Sequence, residues 1–284
     1  MNHTRVLLAV AAIMGLALNS SCVTGASRAP EDSVEKPGAS TEQHEKGLMI
    51  WSEEAVQEAL SGTRDPDERD MVCRTAVHWV VLRNQPGKLE RLMNKGASIH
   101  LCDDSGLTPV HLAARECHLR SLDVLLQDPR AVEIKSQQGR TPLHTAARTG
   151  CPAAVKELLK HGADPNPEGT YTPLHLACRE GNTRSVRALL KAGADPDAVA
   201  GFRDDDGIWN IGNPLHFAAA EGHAEIVEAL VSAGADIDRR NITGDTPLHV
   251  VARGTHSPGL SSWVDPAQFL RSNVDWPDSI VGER

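Results

Sequence analysis

Histidine and cysteine are the residues whose chemistry would matter most, and the 284-residue chain carries 13 of the first and six of the second. Both ligate metals, and both can serve in proton transfer or nucleophilic attack. Spacing decides which use is open. His78, His111, His144, His175, His216 and His249 recur at intervals of 33, 33, 31, 41 and 33 residues. A metal needs ligands that converge on one point, whereas residues repeated at such intervals are spread along the molecule. No zinc site and no cofactor is expected. Asp204-Asp205-Asp206-Gly207 lacks the alternating acidic ligands and terminal Glu of a calcium loop and reads as a solvated acidic turn. There is no G-x-S-x-G nucleophile turn and no phosphate-binding G-x-x-x-x-G-K-[ST]. Adjacent Cys117 and His118 do not amount to a catalytic pair, and the chain is not read as an enzyme.

Each regular histidine is the fourth residue of a short run. Thr-Pro-Leu-His stands at 141–144, 172–175 and 246–249, with Thr-Ala-Val-His at 75–78, Thr-Pro-Val-His at 108–111 and Asn-Pro-Leu-His at 213–216. Thr or Asn can cap a helix and Pro fits its first turn, so each run predicts a short helix. Counting 14, 17 and 18 positions from each opening residue lands on apolar side chains, for example Val155, Leu158 and Leu159, or Val186, Leu189 and Leu190. That spacing places an apolar stripe on a second helix in every copy. Gly-Ala-Asp follows at 162–164, 193–195 and 234–236, where Gly suits a left-handed stop.

A period near 33 opening on T-P-L-H-x-A is that of ankyrin repeats, and the chain resembles an ankyrin repeat protein from about residue 51 onward. The fold expected is an all-α repeat solenoid of helix-turn-helix units with projecting β-turn or hairpin loops. The resemblance implies that the motif His braces its turn through hydrogen bonds. It also implies a concave binding surface lined by the ends of the first helices. Seven positions after each opening stand Leu82, Arg115, Arg148, Arg179, Ala220 and Arg253. Arg115, Arg148 and Arg179 would then form a stripe able to hold a carboxylate bidentately or stack on an aromatic ring, unless each simply serves its helix C-terminus and a local Glu. The expected partner is another protein with an acidic segment, bound by a monomer.

Two departures from the period add candidates. The 41-residue interval carries its surplus in AVAGFRDDDGIWNIG, which brings Phe202 and Trp209 into a protein with few aromatics. Insertions in a repeat map to its loops and often to a binding face, although such a loop can also pack its own side chains. Tyr171 sits in the turn shortened by the 31-residue interval. Cysteine spacing suggests two pairs, Cys73 with Cys102 and Cys117 with Cys151. Equivalent positions of stacked helices lie about 10 Å apart and a disulfide needs alpha carbons within about 7 Å, so the geometry argues against both. Cys178 replaces a packed Ala and is expected to be a buried thiol.

The amino terminus differs in kind. After Met1–Arg5 come 13 residues, Val6 to Leu18, that are apolar or Gly. This run is short for a membrane span and suits a secretory signal over residues 1–22. Leu18-Asn-Ser-Ser-Cys22 resembles a bacterial lipoprotein lipobox, with Asn19 where an apolar residue is usual, and the resemblance implies lipidation of Cys22. Cleavage after Ala26 is the alternative, and an uncleaved anchor a third. Residues 23–50 read as a flexible linker, 51–70 as a capping half-repeat, 71–254 as the repeats, and 255–284 as an irregular sixth second helix with a cap. Export to a periplasm or envelope membrane, or secretion, is expected. The net charge of −9 disfavours nucleic acid, and contact with a membrane is expected only through an anchor.

Overall fold

The computed structural model describes residues 51–169, 171–203 and 209–253. The expected signal and linker, Cys22 and the cap from 255 onward lie outside the described residues.

Each opening run starts a helix: α2 (Ala76–Leu82), α4 (Pro109–Arg115), α6 (Pro142–Thr149), α8 (Pro173–Arg179), α10 (Pro214–Ala220) and α12 (Pro247–Arg253). Proline opens five of these six, where its missing N–H has no helical partner to lose. The second helices are α3 (Pro86–Asn94), α5 (Leu119–Leu125), α7 (Pro152–Lys160), α9 (Thr183–Lys191) and α11 (Ala224–Ser232). First helices pack on first helices and second on second, so the repeats form two layers around one core. Leu89, Leu92, Leu122, Leu125, Val155, Leu158, Val186, Leu189, Val227 and Leu230 are buried as the stripe predicts. Their neighbours Met93, Leu159, Leu190 and Val231 reach only the edge of the core.

In four copies the first helix buries a pair of small residues, Ala113 and Ala114, Ala146 and Ala147, Ala177 and Cys178, and Ala218 and Ala219, beside larger ones such as Leu112, Leu143, Leu174 and Leu215. Small side chains at these positions permit close packing of one first helix on the next. Turns between repeats are tied in series. The Asn166 amide receives the Asp195 N–H at 2.8 Å and donates to the Gly193 carbonyl at 2.9 Å. Asp197 accepts the Asp236 N–H at 3.0 Å in the same way.

α1 (Glu53–Ser61) lies against α2 and α3, buries Val56, Ala59 and Leu60, and exposes Glu53, Glu54, Gln57 and Glu58. Ahead of it Trp51 is buried, its indole N–H directed at the carbonyls of Arg74 (2.9 Å) and Glu68 (3.2 Å), with the Arg64 guanidinium 4.9 Å over its ring. The long interval forms a hairpin, β1 (Ala200–Arg203) antiparallel to β2 (Trp209–Gly212), with Phe202 opposite Asn210 and Arg203 opposite Trp209. Among the described residues no helix is long and apolar enough to cross a membrane.

Candidate functional site

The motif histidines act as braces. Thr75, Thr141, Thr172 and Asn213 each cap a helix in a reciprocal box with the histidine three residues on. The backbone N–H of Thr75, Thr141 and Asn213 donates to Nδ1 at 3.1, 3.0 and 3.3 Å, which leaves the neutral ring's proton on Nε2. Nε2 then donates across to the next repeat: His78 to the Leu107 carbonyl (3.3 Å), His111 to Arg140 (2.8 Å), His144 to Tyr171 (2.8 Å) and His216 to Asp245 (3.0 Å). At His175 the next repeat opens with the hairpin. Its Nε2 finds no acceptor in hydrogen-bond geometry, although the Gly212 and Ala198 carbonyls face it. Burial pushes His78, His111 and His175 down to about 4 and lowers His144 and His216. They are kept neutral as structural braces.

A second set of links joins the loops between helices. Nine positions after each opening, Asn84, Cys117, Gly150, Gly181 and Gly222 take positive φ. The residue that follows reaches back to the preceding repeat. His118 donates to the Val81 carbonyl (2.8 Å), Asn182 to Ala147 and Arg148 (2.8 and 2.9 Å), and His223 to Arg179 (3.2 Å). Between the repeats opening at 108 and 141 that link is covalent, a disulfide from Cys117 to Cys151 with alpha carbons 5.8 Å apart. The geometric argument against this pair is therefore wrong. The two residues are not equivalents on stacked helices; they are offset by one position in loops that touch. The crowding shows at Gly150 and Gly181, where a Cβ would sit 2.4 Å from Asn182 and 2.7 Å from His223. Cys102 is a free thiol, so it does not pair with Cys73, and Cys178 is free and buried as expected.

These links hold the first-helix ends where the arginines stand. Arg115 pairs with Glu116 (2.9 Å) and Arg179 with Glu180 (3.0 Å), so two of the three predicted arginines take up a local carboxylate. Arg148, followed by Thr149, has no carboxylate within ion-pair distance among the described residues. Sequence reasoning missed Arg140, the residue just before an opening Thr. Burial holds its guanidinium below the usual value, and the charges of Arg148 and Arg179 act in the same direction. Register contained the signal, since Tyr171 occupies the same position one repeat on. The Tyr171 ring packs edge-on to Phe217 at 6.4 Å; burial raises its hydroxyl, opposed by Arg179 and Arg140. Phe202 and Trp209 lie on the hairpin strands, and their side chains are outside the description.

One cluster could meet a metal. Asp123, Glu157 and His161 place ligand atoms within 4.8 Å of one another across α5 and the end of α7. Lys160 already holds Glu157 at 2.9 Å and Asp123 is exposed, so the group reads as a surface ion-pair network.

The fold and its inter-repeat links define an all-α repeat solenoid that presents side chains from successive first helices on one surface. Models of ankyrin repeats match residues 77–126, 125–200, 174–231 and 215–261, a continuous run. The chain belongs to the ankyrin repeat family, a protein-interaction module. It is 31% identical over 107 residues to the mouse B-cell lymphoma 3 protein homolog, covering 36% of this chain and 24% of that protein. The chain thus spans about a quarter of that relative. Among solved structures it resembles the ankyrin repeat domain of Bcl-3, described as a unique member of the IkappaB protein family. There the TM-score is 0.59 at 28% identity, covering 76% of this chain and 90% of the other. The human ASB11 ankyrin repeat domain shares the fold at TM-score 0.61 and 21% identity, covering 80% and 100%.

Proposed function

We propose that this protein is an exported ankyrin scaffold. It binds an acidic segment of another protein through its concave first-helix face and extended turns, and it is tethered to a bacterial envelope membrane by lipidation at Cys22. The observation that carries the binding reading is the arginine row on clamped helix ends with Arg140 from a turn base beside it, of which Arg140 and Arg148 have no carboxylate within ion-pair distance among the described residues. Such a surface works by rigid presentation, since inter-repeat hydrogen bonds fix the backbone of each contributing residue before a partner arrives. The Cys117–Cys151 disulfide supports export, because such bonds persist in oxidising compartments and are rare in the cytosol.

Two experiments test this reading. Arg115, Arg148 and Arg179 are changed to Glu together with Trp209→Ala, and partner capture from envelope extracts is compared with wild type; unchanged capture refutes the face. Cell fractionation with intact-mass analysis tests the tether. A membrane-bound species beginning at lipidated Cys22 is expected. An unlipidated start near Ser27 removes the anchor, release into culture fluid points to a secreted effector or toxin-neutralising role, and an intact Met1 in the cytoplasm overturns export.

A further inference from the structure

Three arginines and one tyrosine from two adjacent repeats lie near enough on the first-helix side to act on one another electrostatically, Arg148 and Arg179 on Arg140, and Arg140 and Arg179 on Tyr171. Arg140 and Tyr171 are the residues immediately before two successive openings, and Arg148 and Arg179 stand seven positions after the same two. All four backbones are pinned from a neighbouring repeat. His111 holds the Arg140 carbonyl at 2.8 Å, His144 holds Tyr171 at 2.8 Å, Asn182 holds Arg148 at 2.9 Å and His223 holds Arg179 at 3.2 Å. The Tyr171 ring rests against Phe217. Within ion-pair distance of these three arginines the described residues supply one carboxylate, Glu180, 3.0 Å from Arg179.

Arg140 and Arg179 are half-buried and Arg148 is exposed; like charges gathered in this way repel one another and lower the stability of the free protein. Nothing in the packing requires these groups to be cationic, since it is their backbone carbonyls that the inter-repeat bonds use. Resting on the protein-binding reading above, we infer that Arg140, Arg148, Arg179 and the Tyr171 hydroxyl form one anion subsite that takes neighbouring carboxylates of an acidic peptide segment. Guanidinium groups suit this occupant because each can engage a carboxylate through two parallel N–H donors, with the phenol O–H as a further donor. A nucleic acid fits poorly: its charge runs on past the subsite, where a chain of net charge −9 opposes it.

The test uses the exported chain with its disulfide intact and a hexaglutamate peptide as probe, with hexalysine as the control, titrated calorimetrically at low salt. Hexaglutamate is expected to bind and hexalysine not to. Arg140→Gln with Arg148→Gln should weaken hexaglutamate by about tenfold or more, the scale of lost charge-assisted hydrogen bonds. Arg140→Lys should recover only part of that loss. The melting temperature of the free Arg140→Gln variant should stay level or rise, since crowding of charge is relieved. No binding of hexaglutamate, equal binding by the double variant, or a marked fall in melting temperature with Arg140→Gln each overturns the subsite. The two readings fail separately. If a captured partner is retained equally by wild type and the Gln variants, the scaffold stands without the subsite. If hexaglutamate binds at the arginines while partner capture ignores the whole face, the subsite stands and the scaffold reading falls.

Discussion

Acid should dismantle this array well above the carboxylate range, because its braces are neutral histidines. His78, His111 and His175 are held at about 4 against an ordinary value of 6.5. The cause is burial, which disfavours the imidazolium, and a second proton on Nδ1 would also displace the donors it now accepts. Between those values the unfolded chain binds protons that the folded chain refuses. Stability is therefore complete above pH 6.5 and falls as pH drops toward 4. At pH 5 each histidine costs the folded state about 2 kcal/mol, and the three together about 6 kcal/mol. That is comparable with the whole stability of an ordinary domain. His144 and His216 are shifted in the same direction and add to it. Lowered carboxylates such as Asp128 act in the same direction, since there too the unfolded chain binds protons that the folded chain refuses. Their contribution is lost only as pH falls through and below the usual carboxylate value, so a measurement stopped at pH 5 isolates the histidines. The assay is urea unfolding followed by circular dichroism at pH 7.5, 6 and 5. Unfolding free energy should fall by about 6 kcal/mol across the series, with a slope near pH 5 that reports about three protons taken up. His111→Gln should be less stable at pH 7.5 yet lose only about 4 kcal/mol on going to pH 5. A change under about 1 kcal/mol in the wild type would show that the histidines are not buried neutral, refuting the brace argument.

Two further outcomes follow from the links between repeats. Replacing Cys117 and Cys151 by Ser removes a cross-link spanning 34 residues, and chain entropy alone sets the expected loss near 3–4 kcal/mol, read from the same urea curves. An unchanged midpoint would mean that the loops are held without the bond. Gly181→Ala places a Cβ at φ +74° and 2.7 Å from the His223 ring, which must then leave the Arg179 carbonyl. A loss of about 1–2 kcal/mol is expected, with hydrogen exchange showing opening at the junction of the repeats that begin at 172 and 213; equal stability would refute the crowding.

The fold was legible because an ankyrin unit writes its structure locally. A capping Thr, a Pro in the first turn, a His three residues after the cap and an apolar stripe at fixed offsets each act within a few residues of one another. The period then states how units stack, and the buried rows of Val155, Leu158, Val186 and Leu189 follow it. The placement of Arg115, Arg148 and Arg179 in the last turns of three first helices was legible for the same reason. What lay beyond the sequence were relations between neighbouring units that are offset rather than equivalent. Cys117 meets Cys151 because a loop residue touches the next repeat one position further on, which a comparison of equal positions misjudges. Arg140 feels the charges of Arg148 and Arg179 because the base of a turn and a helix end, separate in the linear pattern, come near one another once the repeats are stacked. Only the tertiary structure sets those distances. It also decides which arginines are already satisfied: Arg115 and Arg179 by a neighbouring Glu, Arg148 by no carboxylate among the described residues.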